Sequence, residues 1–380
     1  MKKFSPLLFL ASLGAGGISV MPFAFFNYTI EFGKGLVDIT KMPYGEISLW
    51  QTVLYRILEG GMVTFTILHL VLSVIFFIGL VKFVKTKGYQ DFIENPLSNA
   101  AILAPFISIA MTMNVFIGPV RYFIPSFAEN LQMFMLPALI AWGLIWALLL
   151  RMEIKLLKTS FEKDFDVSKI SFGWLLHPFA LGMVTVTGTG IAALAQDVSV
   201  ANTAAFMSLM SGTMGLFLFA VKLIALFKSH FAASSLPEKQ FLPSFLIVVP
   251  SVTLYAISMF RFGHFLEHHH GFEMGAYFLI VMVTAFAFET WYMLFGLALL
   301  KDYFKRHFFK EFHVTQWGLI CPMVAYTVLG SFVYKVFVPS VLLYWTILAV
   351  SLVMVVAFFA LLIKHARCAG LLKSEKTECN

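Results

Sequence analysis

The chain has 380 residues, of which 60% are hydrophobic and 12% are charged, with a mean hydropathy of +0.86 and a formal net charge of +7. A soluble globular protein of this length does not have such a composition, so the sequence predicts a membrane protein that crosses the bilayer many times. No glycine-rich phosphate-binding loop in the sequence indicates coupling to ATP.

Ten apolar runs are long enough to cross the hydrocarbon core, which takes roughly 20 residues per helix. In chain order, these predicted spans 1 to 10 lie at about 6–30, 59–83, 97–118, 128–150, 171–195, 202–227, 242–262, 274–300, 314–337 and 340–363. Little of the chain remains outside them. The sequence therefore predicts an all-α, polytopic membrane protein without a large soluble domain.

Lysine and arginine are distributed unequally between the two sides of these spans. Of the 27 such residues, the side opposite the termini holds only Lys34, Lys41, Arg56, Arg121, Arg261 and Lys335. Because positive residues are enriched on the cytoplasmic side, we expect both termini to be cytoplasmic. The net positive charge thus indicates topology and does not point to a nucleic-acid partner.

Interior prolines recur at one position of the odd-numbered spans. They are Pro22, Pro105, Pro178, Pro250 and Pro322, with spacings of 83, 73, 72 and 72 residues. The longer first spacing is attributed to an extended connection between spans 1 and 2. Kinks leave backbone groups unpaired, which suits helices that face a protein-lined or water-lined axis. Alternatively, the prolines reflect only the general frequency of proline in membrane helices.

The repeat predicts five helical hairpins in a quasi-five-fold ring, with the odd spans around a central pore and the even spans outside. We expect one transmembrane pore domain, 1–366, and a short polar cytoplasmic tail, 367–380. The predicted hairpins are about 6–83, 97–150, 171–227, 242–300 and 314–363.

Four motifs in the odd spans resemble the tellurite-resistance/dicarboxylate transporter family, which includes bacterial TehA-type channels and plant SLAC1-type slow anion channels. They are NPLSNAAILAPFISIAMTM, SFGWLLHPFALGMVTVTG, FLIVVPSVTLYAIS and HVTQWGLICPMVAYTVLG. The resemblance implies ten helices, a pore in each protomer of a homotrimer, and passage of small anions. Substrates across the family include chloride, nitrate, sulfite, tellurite and C4-dicarboxylates.

One position departs from the family pattern. The resemblance implies a phenylalanine that closes the pore on span 9, immediately before the residue that matches Pro322, but Cys321 occupies this place. Phe23, Phe106 and Phe179 each follow a repeat proline and are candidates for the missing plug. An apolar constriction of this kind can close a pore by excluding water.

The residue before each repeat proline is expected to lie in one constriction layer. These residues are Met21, Ala104, His177, Val249 and Cys321. His177 alone is ionisable, and its protonated form would attract an anion. The alternative is a neutral histidine that is hydrogen-bonded to a neighbouring helix. For His69 and Glu289, which lie in even spans, we expect buried hydrogen-bonded pairs.

Four cations lie at corresponding outer ends of odd spans, namely Lys34, Arg121, Arg261 and Lys335. They could form an external ring that concentrates anions, or they could simply extend to the interface as long cationic side chains do. The segment from His264 to His270 is interpreted as a solvated loop, with pH sensing or metal binding as alternatives.

The function that fits these patterns is a passive channel for small inorganic anions such as chloride or nitrate, in the inner (plasma) membrane. The alternatives are a proton-coupled carrier or exporter of C4-dicarboxylate, sulfite or tellurite, and, remotely, a haem-binding redox protein. A carrier of dianions is expected to place arginine or lysine near the bilayer midplane. We expect no enzymatic activity, cofactor or metal, and small anions and lipid as partners.

Overall fold

The computed structural model describes residues 4–33, 35–233, 236–372 and 378–379. Within these ranges, ten helices are long and apolar enough to cross a membrane, as the sequence predicts. We keep the numbering of spans 1 to 10 for Pro6–Thr29, Leu49–Val84, Asn99–Phe123, Leu131–Glu162, Phe172–Leu194, Val198–Ala232, Leu242–His270, Gly275–Leu299, Val314–Val336 and Val341–Cys368.

Shorter elements connect the spans. They are the α-helices Lys87–Ile93, Pro125–Glu129 and Lys301–Arg306, the 3-10 turns Ile39–Lys41 and Val167–Lys169, and two parallel strands, β1 (Glu311–Phe312) and β2 (Glu378–Cys379). Several even spans are longer than the apolar runs predict. Span 2 begins ten residues earlier than expected, so the connection after span 1 is shorter than the sequence indicates.

Spans 3, 5, 7 and 9 each change from a 3-10 segment to an α-helix near their repeat proline. Their α-helical parts begin at Ala104, Leu176, Val248 and Ile320. Each proline is the second or third residue of its α-helix, where the missing N–H would not have an intrahelical partner. This position explains why these prolines are tolerated. Pro22 differs, because it lies well inside the α-helix Phe9–Thr29.

Burial alternates along the chain. In the most apolar stretch of each odd span, 56% to 100% of the residues are buried, compared with 11% to 33% in the even spans. Span 1 packs against spans 3 and 9, span 5 packs against spans 3 and 7, and span 7 packs against span 9. Each even span contacts the odd span that precedes it. The odd spans therefore form the inner layer and the even spans the outer layer of the protein.

The even spans hold polar side chains that face inward. Buried ionisable residues on spans 2, 4, 6, 8 and 10 include His69, Glu153, Lys222, Glu289 and Lys364. Such groups are costly inside a membrane unless they have partners. His69 is hydrogen-bonded through Nδ1 to the Ser12 carbonyl oxygen (2.7 Å) and through Nε2 to Thr112 Oγ1 (2.8 Å). Glu289 accepts a hydrogen bond from the Thr253 hydroxyl. As expected, His69 and Glu289 are therefore each buried and hydrogen-bonded to a neighbouring odd span.

Close contact between spans 4, 5 and 6 depends on Gly188. A Cβ atom at this position would overlap the side chains of Trp142 and Ser208. We expect Gly188→Ala to destabilise the protein by about 1 to 3 kcal/mol, because the tightly packed neighbours must shift. Gly61→Ala on span 2 is the control, since nothing lies within 4 Å of its added Cβ. Thermal unfolding in detergent measures both, and an equal loss in the two variants would contradict this packing.

A charged cluster joins the connections on the side of the protein that carries the termini. The Glu311 carboxylate lies 2.7 Å from Lys239 Nζ, 2.8 Å from His307 Nδ1 and 3.2 Å from His313 Nε2. The hydrogen bond from Lys239, with those from the two histidines, lowers the pKa of Glu311 to about 2. Lys364 Nζ also donates a hydrogen bond of 3.1 Å to the Glu311 carbonyl oxygen.

Because the pKa of Glu311 is lowered on folding, its contribution to stability is present above about pH 4.5 and is lost as the pH falls towards 2. We expect Glu311→Gln to cost about 1 kcal/mol at pH 7, because solvent screens pairs near the surface. The difference from the unmodified protein should shrink below pH 4.5. Thermal unfolding between pH 7 and pH 3 checks this, and a difference that does not depend on pH would be inconsistent with the ion pairs.

Candidate pore

A cavity of about 1010 Å³ lies among the odd spans. All five odd spans line it, together with residues of the connection after span 1 and the start of span 8. At one end, the lining includes the exposed residues Glu31, His268 and Lys335. At the other end it includes Phe179 and Cys321, which are buried. The cavity therefore extends from a polar rim, opposite the termini, to an apolar inner end.

The middle of the cavity carries a hydrogen-bonded polar pair. Asn114 Nδ2 donates to Thr187 Oγ1 at 2.8 Å, and both residues line the cavity. Each lies nine residues after its repeat proline, in spans 3 and 5. The sequence analysis missed this pair, although the same repeat position in two spans would have indicated it.

The structure does not bring the five residues of the predicted constriction layer together at the cavity. Cys321 alone lines it, whereas Ala104 and Val249 are fully buried in helix contacts. Met21 instead faces span 10, where its sulfur accepts a hydrogen bond of 3.3 Å from the Ser351 hydroxyl.

The height of span 1 explains the position of Met21. The hydroxyl oxygens of Ser12 and Ser108 lie 2.7 Å apart, so Ser12 is level with a residue three positions after Pro105. Pro22 is ten residues further along span 1, or about 15 Å at the rise of an α-helix. The longer first spacing between prolines therefore reflects a different height in the membrane as well as the connection after span 1.

His177 packs against an outer span and does not line the cavity. Its Nδ1 atom lies 2.5 Å from Glu153 Oε2 on span 4, and both side chains are fully buried. Lys222 of span 6 interacts electrostatically with both residues, and its Nζ atom lies 4.0 Å from the centre of the Trp174 ring. This arrangement matches the alternative stated for His177, a histidine that is hydrogen-bonded to a neighbouring helix.

Among the aromatic plug candidates, Phe179 and Phe23 line the cavity and Phe106 does not. Phe179 is buried at the inner end. Phe23 lies further towards the rim, where its ring is 5.8 Å from the Arg121 guanidinium carbon. Only Phe179 is therefore placed where a plug would close the inner end.

The four predicted external cations occupy different environments. Arg261 and Lys335 line the cavity. Arg121 is buried, does not line the cavity, and donates hydrogen bonds to the carbonyl oxygens of Ile117 (3.0 Å) and Val37 (2.5 Å). Lys34 lies outside the described residues. The structure thus places two of the four at the cavity.

The histidine-rich segment is helical up to His270 and ends at Gly271, whose positive φ of 70° suits glycine. His268 donates to the Ala193 carbonyl oxygen at 3.4 Å and His269 to that of Ala195 at 3.1 Å. These contacts hold the end of span 5 against span 7. In the part of the chain that the structure describes, no group of three or more His, Cys, Asp or Glu residues could hold a metal ion.

Ten apolar helices and an internal cavity define a multi-pass membrane protein of the channel or transporter class. A family model described as a voltage-dependent anion channel, SLAC1, matches residues 3–366. The chain therefore belongs to the SLAC1 family of anion channels and transporters, which confirms the resemblance inferred from the four motifs. No curated protein matches the chain.

Proposed function

We propose that the protein is a passive channel for small inorganic anions such as chloride or nitrate. The five odd spans form a quasi-five-fold ring around the conducting path, and the five hairpins place both termini in the cytoplasm. The protein acts in the inner (plasma) membrane as a homotrimer in which each protomer has its own pore. The family supports transport of anions, and the unequal distribution of lysine and arginine supports the orientation.

The observation that carries this proposal is the cavity lined by all five odd spans. Within a membrane, irregular backbone and polar groups are tolerated where they line such a cavity. Among its described Asp, Glu, His, Lys and Arg lining residues, basic groups outnumber acidic ones; these residues are Glu31, Arg261, His264, His268 and Lys335. A weakly positive path attracts anions without holding them tightly, which suits conduction.

Phe179 is the candidate for the gate. In the family pattern the plug precedes the repeat proline of span 9, but the thiol of Cys321 is too small to fill the path alone. Phe179 supplies a bulky apolar ring at the same inner end of the cavity. Closure there would act by excluding water from an apolar constriction.

Recordings from purified protein in a planar bilayer test the function directly. Gradients of potassium chloride and then potassium nitrate are applied at pH 5.5 and pH 7.5. A channel gives resolvable unitary currents that reverse near the equilibrium potential of the anion. Currents that reverse near the potassium equilibrium potential would contradict anion conduction.

A proton-coupled carrier is the second candidate, and Arg261 favours it. This residue lines the cavity nine residues before the end of span 7, about 14 Å inside the helix end, and a carrier of dianions needs such a cation on its path within the membrane. A carrier would give saturable, proton-dependent uptake of a dicarboxylate or sulfite into liposomes, without unitary currents.

A further inference from the structure

Arg261 occupies a recess that the sequence of span 5 provides. Its Nη1 atom donates a hydrogen bond of 2.6 Å to the Val186 carbonyl oxygen. A Cβ atom on Gly190 would lie 3.0 Å from Nη1 and 3.5 Å from Cζ. Because Gly190 has no side chain, the guanidinium can lie directly against span 5. The position of the group is thus fixed from one side and open to the cavity on the other.

The Arg261 guanidinium has more N–H donors than it has hydrogen-bond acceptors among the described residues. Of the described residues, Val186 is the one that accepts a hydrogen bond from Arg261, and no described Asp or Glu forms an ion pair with it. A guanidinium inside a membrane protein normally has a carboxylate or several carbonyl oxygens as partners. Nε and Nη2 therefore remain free to bind a ligand that enters the cavity.

The walls around Arg261 are aromatic. The rings of Tyr28 and Phe332 have centroids 3.9 Å apart, and the ring of Phe260 lies 5.1 Å from that of Phe332. Tyr28 is close enough to Arg261 for an electrostatic interaction. Apolar rings beside a guanidinium lower the local polarity, which strengthens a hydrogen bond that it donates. One turn towards the rim, His264 Nδ1 is held by Glu267 Oε2 at 2.9 Å.

We propose that Arg261 binds a small planar oxyanion, nitrate or a carboxylate, and so sets anion selectivity. This inference rests on the proposed transport of anions and names the anion class. Two parallel N–H groups on one edge of a guanidinium match two oxygens of a planar oxyanion, whereas a spherical halide cannot accept from both with ideal geometry. An ammonium group keeps the charge but lacks this planar pair of donors.

Arg261→Lys separates the role of the planar donors from that of the charge. We expect it to keep anion selectivity over potassium and to lower the permeability ratio of nitrate to chloride about tenfold, as loss of a charge-assisted hydrogen bond would. Arg121→Lys is the matched control, because Arg121 is also an arginine near the outer end of an odd span but does not line the cavity. It should leave the ratio unchanged.

Binding is measured separately from conduction, so that the two proposals can fail independently. Nitrate or acetate should raise the melting temperature of the purified protein more than chloride does, and Arg261→Lys should remove this difference. An effect on binding without any anion current would uphold the site and overturn the channel. A nitrate preference that survives both Arg261→Lys and Arg261→Gln, in currents and in melting, would overturn the site.

Discussion

Replacing Phe179 with alanine is expected to raise the anion current at least about tenfold. The ring is buried at the inner end of the cavity. The side chain of Cys321, which also lines this end, is much smaller. Removing the phenyl group widens the apolar constriction and admits water, which lowers the barrier to an ion. A reduction of the barrier by about 1.4 kcal/mol is enough for a tenfold increase in rate. Unitary and macroscopic currents in a planar bilayer measure the change.

Phe106 offers a matched control for this experiment. Like Phe179, it directly follows a repeat proline in the sequence, but it does not line the cavity. We therefore expect Phe106→Ala to lower the stability of the protein and to leave the current near that of the unmodified protein. If Phe106→Ala raised the current and Phe179→Ala did not, Phe179 would not be the plug.

The ten spans could be predicted because crossing a bilayer demands long apolar runs, and the chain contains ten. Their ends were harder to place. Span 2 extends back to Leu49 through Arg56 and Glu59, which interrupt the apolar run but form a salt bridge of 2.9 Å. Glu59 also accepts hydrogen bonds from the hydroxyls of Tyr44 (2.5 Å) and Tyr122 (2.6 Å). Hydropathy alone does not indicate that these partners meet.

The repeat spacing correctly placed the prolines of spans 3, 5, 7 and 9 at equivalent positions, since each is the second or third residue of its α-helix. It failed to reveal the height of span 1, because proline spacing along a chain does not fix how far one helix slides along another. The contact between Ser12 and Ser108 does fix it. Met21 was therefore wrongly assigned to the constriction layer, because that assignment assumed that span 1 has the same height as the other odd spans.

The side-chain partners of cations could not be derived from their positions in sequence either. Arg121 and Arg261 both follow a repeat proline towards the rim, yet Arg121 does not line the cavity and Arg261 does. The difference arises from backbone neighbours on other elements, including Val37 and Gly190. Such long-range contacts have no signature in a single sequence.

A second large effect is expected at the buried pair of Glu153 and His177. Glu153 Oε2 lies 2.5 Å from His177 Nδ1, and Glu153 also interacts electrostatically with Lys222. Glu153→Gln keeps the size of the side chain but removes its charge, so that Lys222 stays buried without this counter-charge. Leaving a buried charge without its counter-charge typically costs about 3 to 5 kcal/mol. We expect a loss of that size in the free energy of unfolding.

Two further variants show whether charge is the cause. Glu162→Gln changes an exposed carboxylate at the end of the same span and should have little effect on stability. The double variant Glu153→Gln, Lys222→Gln removes both charges, so its cost should be smaller than the sum of the two single costs. Thermal or denaturant unfolding in detergent measures the unmodified protein, these two variants and the single variants Glu153→Gln and Lys222→Gln. Strictly additive costs would show that Glu153 and Lys222 do not stabilise each other, and the loss would then come from the hydrogen bond to His177 alone.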